Sequence, residues 1–109
     1  MRGMPDTTLD RLAATIRARR SQDAAKSYTR QLLDAGPERC ARKLGEEAIE
    51  TVIAAIGQDD AALTAEAADL IYHLMVLLES RSIALEEVLQ VLDQRTGVSG
   101  IEEKARRGG

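Results

Sequence analysis

Two pairs of carboxylates, Glu47-x-x-Glu50 and Glu66-x-x-Asp69, interrupt two successive segments that otherwise read as core-forming helices. A spacing of three puts each pair on one helical face, where side chains are neighbours. Four acids gathered together cannot all stay ionised unless a cation is shared between them. The two segments can provide that arrangement by folding back as an αα-hairpin, so the acids constrain topology as well as chemistry. Clustered hard oxygens suit Mg²⁺ or Mn²⁺, and Mg²⁺ in proteins usually arrives with phosphates. The pattern points to metal-assisted phosphate chemistry.

A chain of 109 residues fits one domain, expected over residues 1–95, with a modest core. Tyr28 and Tyr72 are the only aromatics besides His73, and there is no Trp or Phe. The core must therefore be Leu, Ile, Val and Ala, which favours helix packing over a sheet and an all-α fold. A net charge of −3 with acids and bases intermixed leaves no broad basic face, so no nucleic-acid partner is expected. Cys40 is the single cysteine, which excludes an internal disulfide and fits a reducing compartment. Residues 1–20 show no signal peptide, and the apolar run Leu70 to Leu78, broken by His73, is too short to span a bilayer. The expectation is a cytoplasmic protein with no membrane partner.

Five helices are expected. The first covers 8–20, with Leu9, Leu12, Ala13 and Ile16 on one face and Asp6, Thr7 or Thr8 as its cap. Residues 21–26 form a polar connection to a short helix that starts at Ser27 or Tyr28 and ends at Ala35, closed by Gly36. Pro37 suits the first turn of a third helix that runs to Ile56. Its apolar side collects Ala41, Leu44, Ala48, Val52 and Ile56, and Lys43, Glu46, Glu47 and Glu50 fall on the other side. Asp59 or Asp60 caps a fourth helix that runs to Ser80 and is apolar almost all round. Such a helix is expected to be buried on every side, which in a small chain implies a partner copy as well as a core. A fifth helix covers 84–95, with Arg95 complementing its C-terminal dipole. Residues 96–109, with three glycines in the last ten, are expected to form a flexible tail.

Glu46, Glu47 and Glu50 alone would be explained by a solvated helix face. Asp69 is harder to explain that way, because it is a poor mid-helix residue set among Ala67, Ala68, Leu70 and Ile71. An unpaired carboxylate there would cost several kcal/mol or stay protonated. Di-iron bundles use Glu-x-x-His, whereas His73 stands four residues after Asp69 and has no second histidine to join it. The all-carboxylate set favours Mg²⁺, with Mn²⁺ possible, over iron or zinc. His73, with Tyr72 offset to one side, reads as a support behind the ligands. Lys43 is placed to meet a phosphate or to pair with Glu47, and Lys26 and Arg30 flank Ser27-Tyr28-Thr29 where they too could reach a ligand.

Ser27-Tyr28-Thr29 with Leu32-Leu33, then Lys43-Leu44-Gly45-Glu46-Glu47-Ala48-x-Glu50, then Glu66-Ala67-Ala68-Asp69-Leu70-x-Tyr72-His73, resembles phosphoribosyl-ATP pyrophosphohydrolase over residues 8–95. The Glu-x-x-Glu and Glu-x-x-Asp pairs by themselves are shared with the wider MazG-like all-α nucleotide pyrophosphohydrolases. The resemblance implies a MazG-like bundle of four to five helices that forms a homodimer. It also implies Mg²⁺-dependent hydrolysis of phosphoribosyl-ATP to phosphoribosyl-AMP and pyrophosphate, the second step of histidine biosynthesis. By motif match, Glu47, Glu50, Glu66 and Asp69 take the metal. Glu46, the acid left over, becomes the candidate catalytic group that positions or deprotonates water. Lys43, Lys26 and Arg30 are candidate substrate-binding groups. Ala25-Lys26 departs from the pattern, standing where a Pro- or Gly-containing turn is expected. Two rival readings share these features: a housecleaning pyrophosphohydrolase of ordinary or damaged nucleoside triphosphates, and a non-catalytic helical dimerisation module.

Overall fold

The computed structural model describes residues 7–96. Five helices follow in order: α1 (Thr8–Ala18), α2 (Tyr28–Ala35), α3 (Pro37–Gly57), α4 (Asp60–Ser80) and α5 (Leu85–Thr96). A 3₁₀ turn at Arg19–Ser21 continues α1. The all-α expectation holds, and the helix boundaries agree to within a residue or two. Apart from Thr96, the expected tail lies outside the described residues, as do residues 1–6 of the expected domain.

Local chemistry sets each start. Thr7 and Asp10 form a reciprocal capping box at α1, which satisfies two otherwise orphaned helix donors. Ser27 accepts from the Arg30 amide at 3.1 Å, and Asp59 accepts from the Ala62 amide at 2.9 Å. Gly36 sits at φ 98° before Pro37, a left-handed conformation that glycine reaches without a Cβ penalty. The turn before Ser27 needs neither proline nor glycine. The Asp23 side chain accepts from the Ala25 amide at 3.0 Å, and its carbonyl accepts from the Lys26 amide at 2.9 Å, an Asx-type turn.

The core is small and lies at one end of the molecule. Ile16, Leu32, Cys40, Met75, Val76 and Leu85 are buried together, with Leu12, Leu33, Tyr72 and Leu89 packed around them. They come from all five helices. Burial and the Leu32 carbonyl, which accepts from the thiol at 3.3 Å, account for Cys40, whose pKa burial pushes up. Only Gln58 and Asp59 separate α3 from α4, so these 21-residue helices run back antiparallel and form the largest helix–helix contact. The hairpin tip reaches beyond the core. The radius of gyration is 16.1 Å, against about 13 Å for a compact chain of this length.

Two expectations about the hairpin are corrected. Val52 and Ile56, expected to face inward, are 56% and 83% exposed. The inward stripe of α3 runs instead through Cys40, Leu44, Glu47, Thr51 and Ala54, so Glu47 faces the neighbouring helix while Glu46 and Glu50 stay exposed. Small residues at Thr51 and Ala54 permit the close approach, and the Thr51 hydroxyl reaches the Glu66 carbonyl at 3.4 Å. Nor is α4 buried on every side, because Ile71 and Leu74 are 42% and 40% exposed along one flank. By length and apolarity alone α4 could cross a membrane. Part of its apolar surface packs against α1, α2 and α3.

Candidate metal centre

Midway along the hairpin, Glu47 from α3 meets Glu66 and Asp69 from α4. One oxygen from each lies within 4.8 Å of the others. Glu47 and Glu66 are half-buried and Asp69 is exposed, so the cluster opens to solvent on one side. Glu47 Oε2 is buried and has no hydrogen-bond partner. Burial pushes the Glu47 pKa up. The charge of Glu50, the side-chain contact with Glu66, and the charges of Asp69 and Glu66 add to the rise. Such a carboxylate is disfavoured as an anion until a cation joins it. The donor set is oxygen only, with one atom lacking any protein partner, and so fits a hard divalent ion.

The surroundings hold the three acids in place. Thr51 donates to the Glu47 carbonyl at 2.8 Å while reaching toward Glu66 across the hairpin. His73 Nδ1 lies 2.9 Å from the Asp69 carbonyl. A carbonyl only accepts, so Nδ1 is the donor in this contact, while Nε2 is buried and unpartnered. The imidazole is wedged between Tyr72, at 4.9 Å between ring centroids, and Tyr28, at 6.3 Å, both edge-on. The Tyr72 hydroxyl bonds to Thr29 and ties α2 to α4; burial raises its pKa.

A cavity of about 260 Å³ lies elsewhere, lined by Arg17, Arg20, Glu79, Ser82, Ile83 and Ala84. Glu79 is ten residues beyond Asp69, or about 15 Å along α4, and it is already paired with Arg17 and Arg20.

The family model for phosphoribosyl-ATP pyrophosphohydrolase matches residues 9–96. The chain belongs to the phosphoribosyl-ATP pyrophosphohydrolase family. A Rhodobacter capsulatus phosphoribosyl-ATP pyrophosphatase is 55% identical over 94% of this chain and 99% of the relative. A Bradyrhizobium diazoefficiens phosphoribosyl-ATP pyrophosphatase 1 is 58% identical over 95% and 98% respectively. A Cereibacter sphaeroides phosphoribosyl-ATP pyrophosphatase is 54% identical over 94% and 99%.

Within this phosphoribosyl-ATP pyrophosphohydrolase fold, the residues singled out in the sequence do not all converge. Glu47, Glu66 and Asp69 do. Glu50 is close enough for its charge to raise Glu47, but its oxygens lie outside the three-residue group. Glu46 points to the solvent side of α3 and accepts from Lys43 Nζ at 3.1 Å; that bond is the main reason the Lys43 pKa is raised. Lys43 therefore pairs with Glu46, not with Glu47. Arg30 is engaged by Asp34 at 2.9 Å and by the Gln22 carbonyl at 2.6 Å. Lys26 is exposed in the turn before Ser27. Thr51 and Tyr28 were not singled out. A hydroxyl four residues after Glu47 was a weak pointer to the first, and the exposure of the second depends on tertiary packing.

The raised Glu47 pKa makes a signed prediction. Without a cation, the Glu47 contribution to stability falls as pH rises from the ordinary carboxylate value of 4.5 through the raised one. In EDTA at pH 7, Glu47→Gln should therefore melt above the wild type, by about 4–8 °C for each kcal/mol relieved in a domain of this size. Mg²⁺ should raise the wild-type melting temperature and leave the variant unmoved. A lower melting temperature for the variant in EDTA, with an unchanged response to Mg²⁺, would contradict this account.

Proposed function

We propose that this chain hydrolyses phosphoribosyl-ATP between its α and β phosphates, releasing phosphoribosyl-AMP and pyrophosphate, the second step of histidine biosynthesis. The observation that carries this reading is the convergence of Glu47, Glu66 and Asp69 around an unpartnered buried oxygen, in a family member matched over residues 9–96. Those three acids would hold Mg²⁺, or Mn²⁺, with Glu50 as a further ligand one turn along α3. The cation, when bound, neutralises charge on the phosphate oxygens as the anhydride breaks.

The remaining roles fall to the chain's own side chains. Glu46 takes a proton from the water that attacks the α-phosphorus in line, once Lys43 has left it for the substrate phosphates. Lys43 supplies positive charge to the phosphates, exchanging Glu46 for the substrate. Lys26 and Arg30, at the start of α2, extend that charge. His73 holds the Asp69 turn through its Nδ1 proton, and Tyr72 fixes α2 against α4. A cytoplasmic setting, with neither nucleic acid nor membrane as partner, suits the buried reduced Cys40 and the mixed surface charge.

The chain acts as a homodimer in this reading. Ile49, Val52, Ile53 and Ile56 are 62%, 56%, 53% and 83% exposed. Their i, i+3, i+4, i+7 spacing makes one continuous apolar stripe on α3. A patch of this kind on a protruding hairpin marks an interface, and a second copy offers the matching stripe.

Pyrophosphate release from phosphoribosyl-ATP, measured with and without Mg²⁺ beside a panel of ordinary nucleoside triphosphates, tests the activity. Mg²⁺-dependent release confined to phosphoribosyl-ATP is expected. Comparable release from the ordinary triphosphates would overturn the substrate, and no release from any would overturn the enzyme. In the same assay Glu46→Gln should lower kcat about 10²–10⁴-fold while keeping the Mg²⁺-dependent rise in melting temperature. For the dimer, sedimentation equilibrium should give twice the 11.9 kDa chain mass, and Ile53→Glu should reduce it to one. A wild-type monomer, or an Ile53→Glu variant that stays paired, would count against that interface.

A further inference from the structure

Purine rings have flat apolar faces, and proteins that hold them commonly stack an aromatic side chain against one of those faces. This chain has few residues able to do so. Its aromatic rings are Tyr28, Tyr72 and the imidazole of His73, with no Phe or Trp. His73 is only 7% exposed. Tyr72 is half-buried, with its hydroxyl bonded to Thr29. Tyr28 is 48% exposed, which leaves it as the one ring in the chain with a largely open surface.

Its position is as telling as its exposure. Tyr28 is the first residue of α2, directly after Ser27, which is 2% exposed and caps the helix through the Arg30 amide. The ring therefore stands on a fixed helix start. The ring packs against the imidazole of His73 in a T-shaped contact, at 6.3 Å between centroids with an interplanar angle of 76°. The same imidazole holds the Asp69 main-chain carbonyl at 2.9 Å, so one side chain links the exposed ring to the backbone that carries an acid of the cluster. It also lies within electrostatic range of the Lys43 ammonium. A nucleotide with its phosphates between Lys43 and the carboxylates would carry its base toward this ring.

We propose that the open face of Tyr28 is the platform on which the adenine ring of the substrate stacks, braced by His73. This rests on the nucleotide-hydrolase reading above and adds to it the group that recognises the base. Ring area carries the contact, so the aromatic surface and not the hydroxyl should matter.

The test uses AMP binding by calorimetry in Mg²⁺, which needs no turnover, with ribose 5-phosphate as the base-free control. Tyr28→Ala should weaken AMP binding about tenfold or more, raise KM for phosphoribosyl-ATP by a similar factor and change kcat much less. Tyr28→Phe should restore AMP affinity to within about twofold of wild type. The Mg²⁺-dependent melting shift and the urea midpoint should be unmoved in both variants, which separates lost recognition from lost folding or lost metal. Unchanged AMP binding in Tyr28→Ala would overturn the proposal. So would a Tyr28→Phe defect equal to that of alanine, or an equal loss for ribose 5-phosphate. Wild-type protein that binds AMP through Tyr28 yet leaves phosphoribosyl-ATP intact would overturn the substrate assignment and leave the platform standing.

Discussion

The like-charge contact among Glu47, Glu66 and Asp69 is the constraint on which the rest of the structure depends. Three acids within 4.8 Å, one of them with a buried unpartnered oxygen, destabilise a bare hairpin. The fold accepts that cost because α3 and α4 are otherwise matched: 21 residues each, a two-residue link, and small residues at Thr51 and Ala54 along the seam. The core at the far end, from Ile16 to Leu85, clamps the open end of the hairpin. The acids are thus held close by packing elsewhere and not by attraction among themselves. Under the proposed function, that packing would preorganise the acids for a cation.

Much of this was legible in the chain. Caps at Thr7, Ser27 and Asp59 and the Gly36-Pro37 junction fix helix ends through local chemistry, which sequence displays directly. The carboxylate spacing was equally plain. The rotation of α3 was not. Its apolar residues form two overlapping stripes, one through Leu44, Ala48, Val52 and Ile56 and another through Cys40, Leu44 and Ala54. Hydropathy favours the greasier one. The structure turns the other inward, where the small Thr51 and Ala54 let α3 approach α4, and Glu47 is carried against α4 while the larger aliphatics stay outside. Partner choice among the charged residues was also hidden. Lys43 could bond Glu46 or Glu47 equally well by spacing, and Arg30 was free to reach a ligand until Asp34 and the Gln22 carbonyl are seen to engage it.

That rotation connects the acidic cluster to the apolar stripe. At about 100° per residue, Glu50 falls between Glu47 and Ile53 on the surface of α3, so the proposed ligands border the proposed interface. A helix that used its large aliphatics for its own core would have turned the acids to solvent, where they would carry no shared ion. Exposing Ile49 to Ile56 and half-burying Glu47 are two consequences of one orientation.

The central claim is that acids from both helices share one divalent ion. Electron paramagnetic resonance of Mn²⁺ titrated into the protein reads that ion directly. The account predicts that wild-type protein binds Mn²⁺ and depletes the free-ion signal, that Mg²⁺ competes, and that Glu47→Gln on α3 and Glu66→Gln on α4 each abolish the binding. Binding that survives either substitution, or a free-ion signal that the wild-type protein does not deplete, would contradict it.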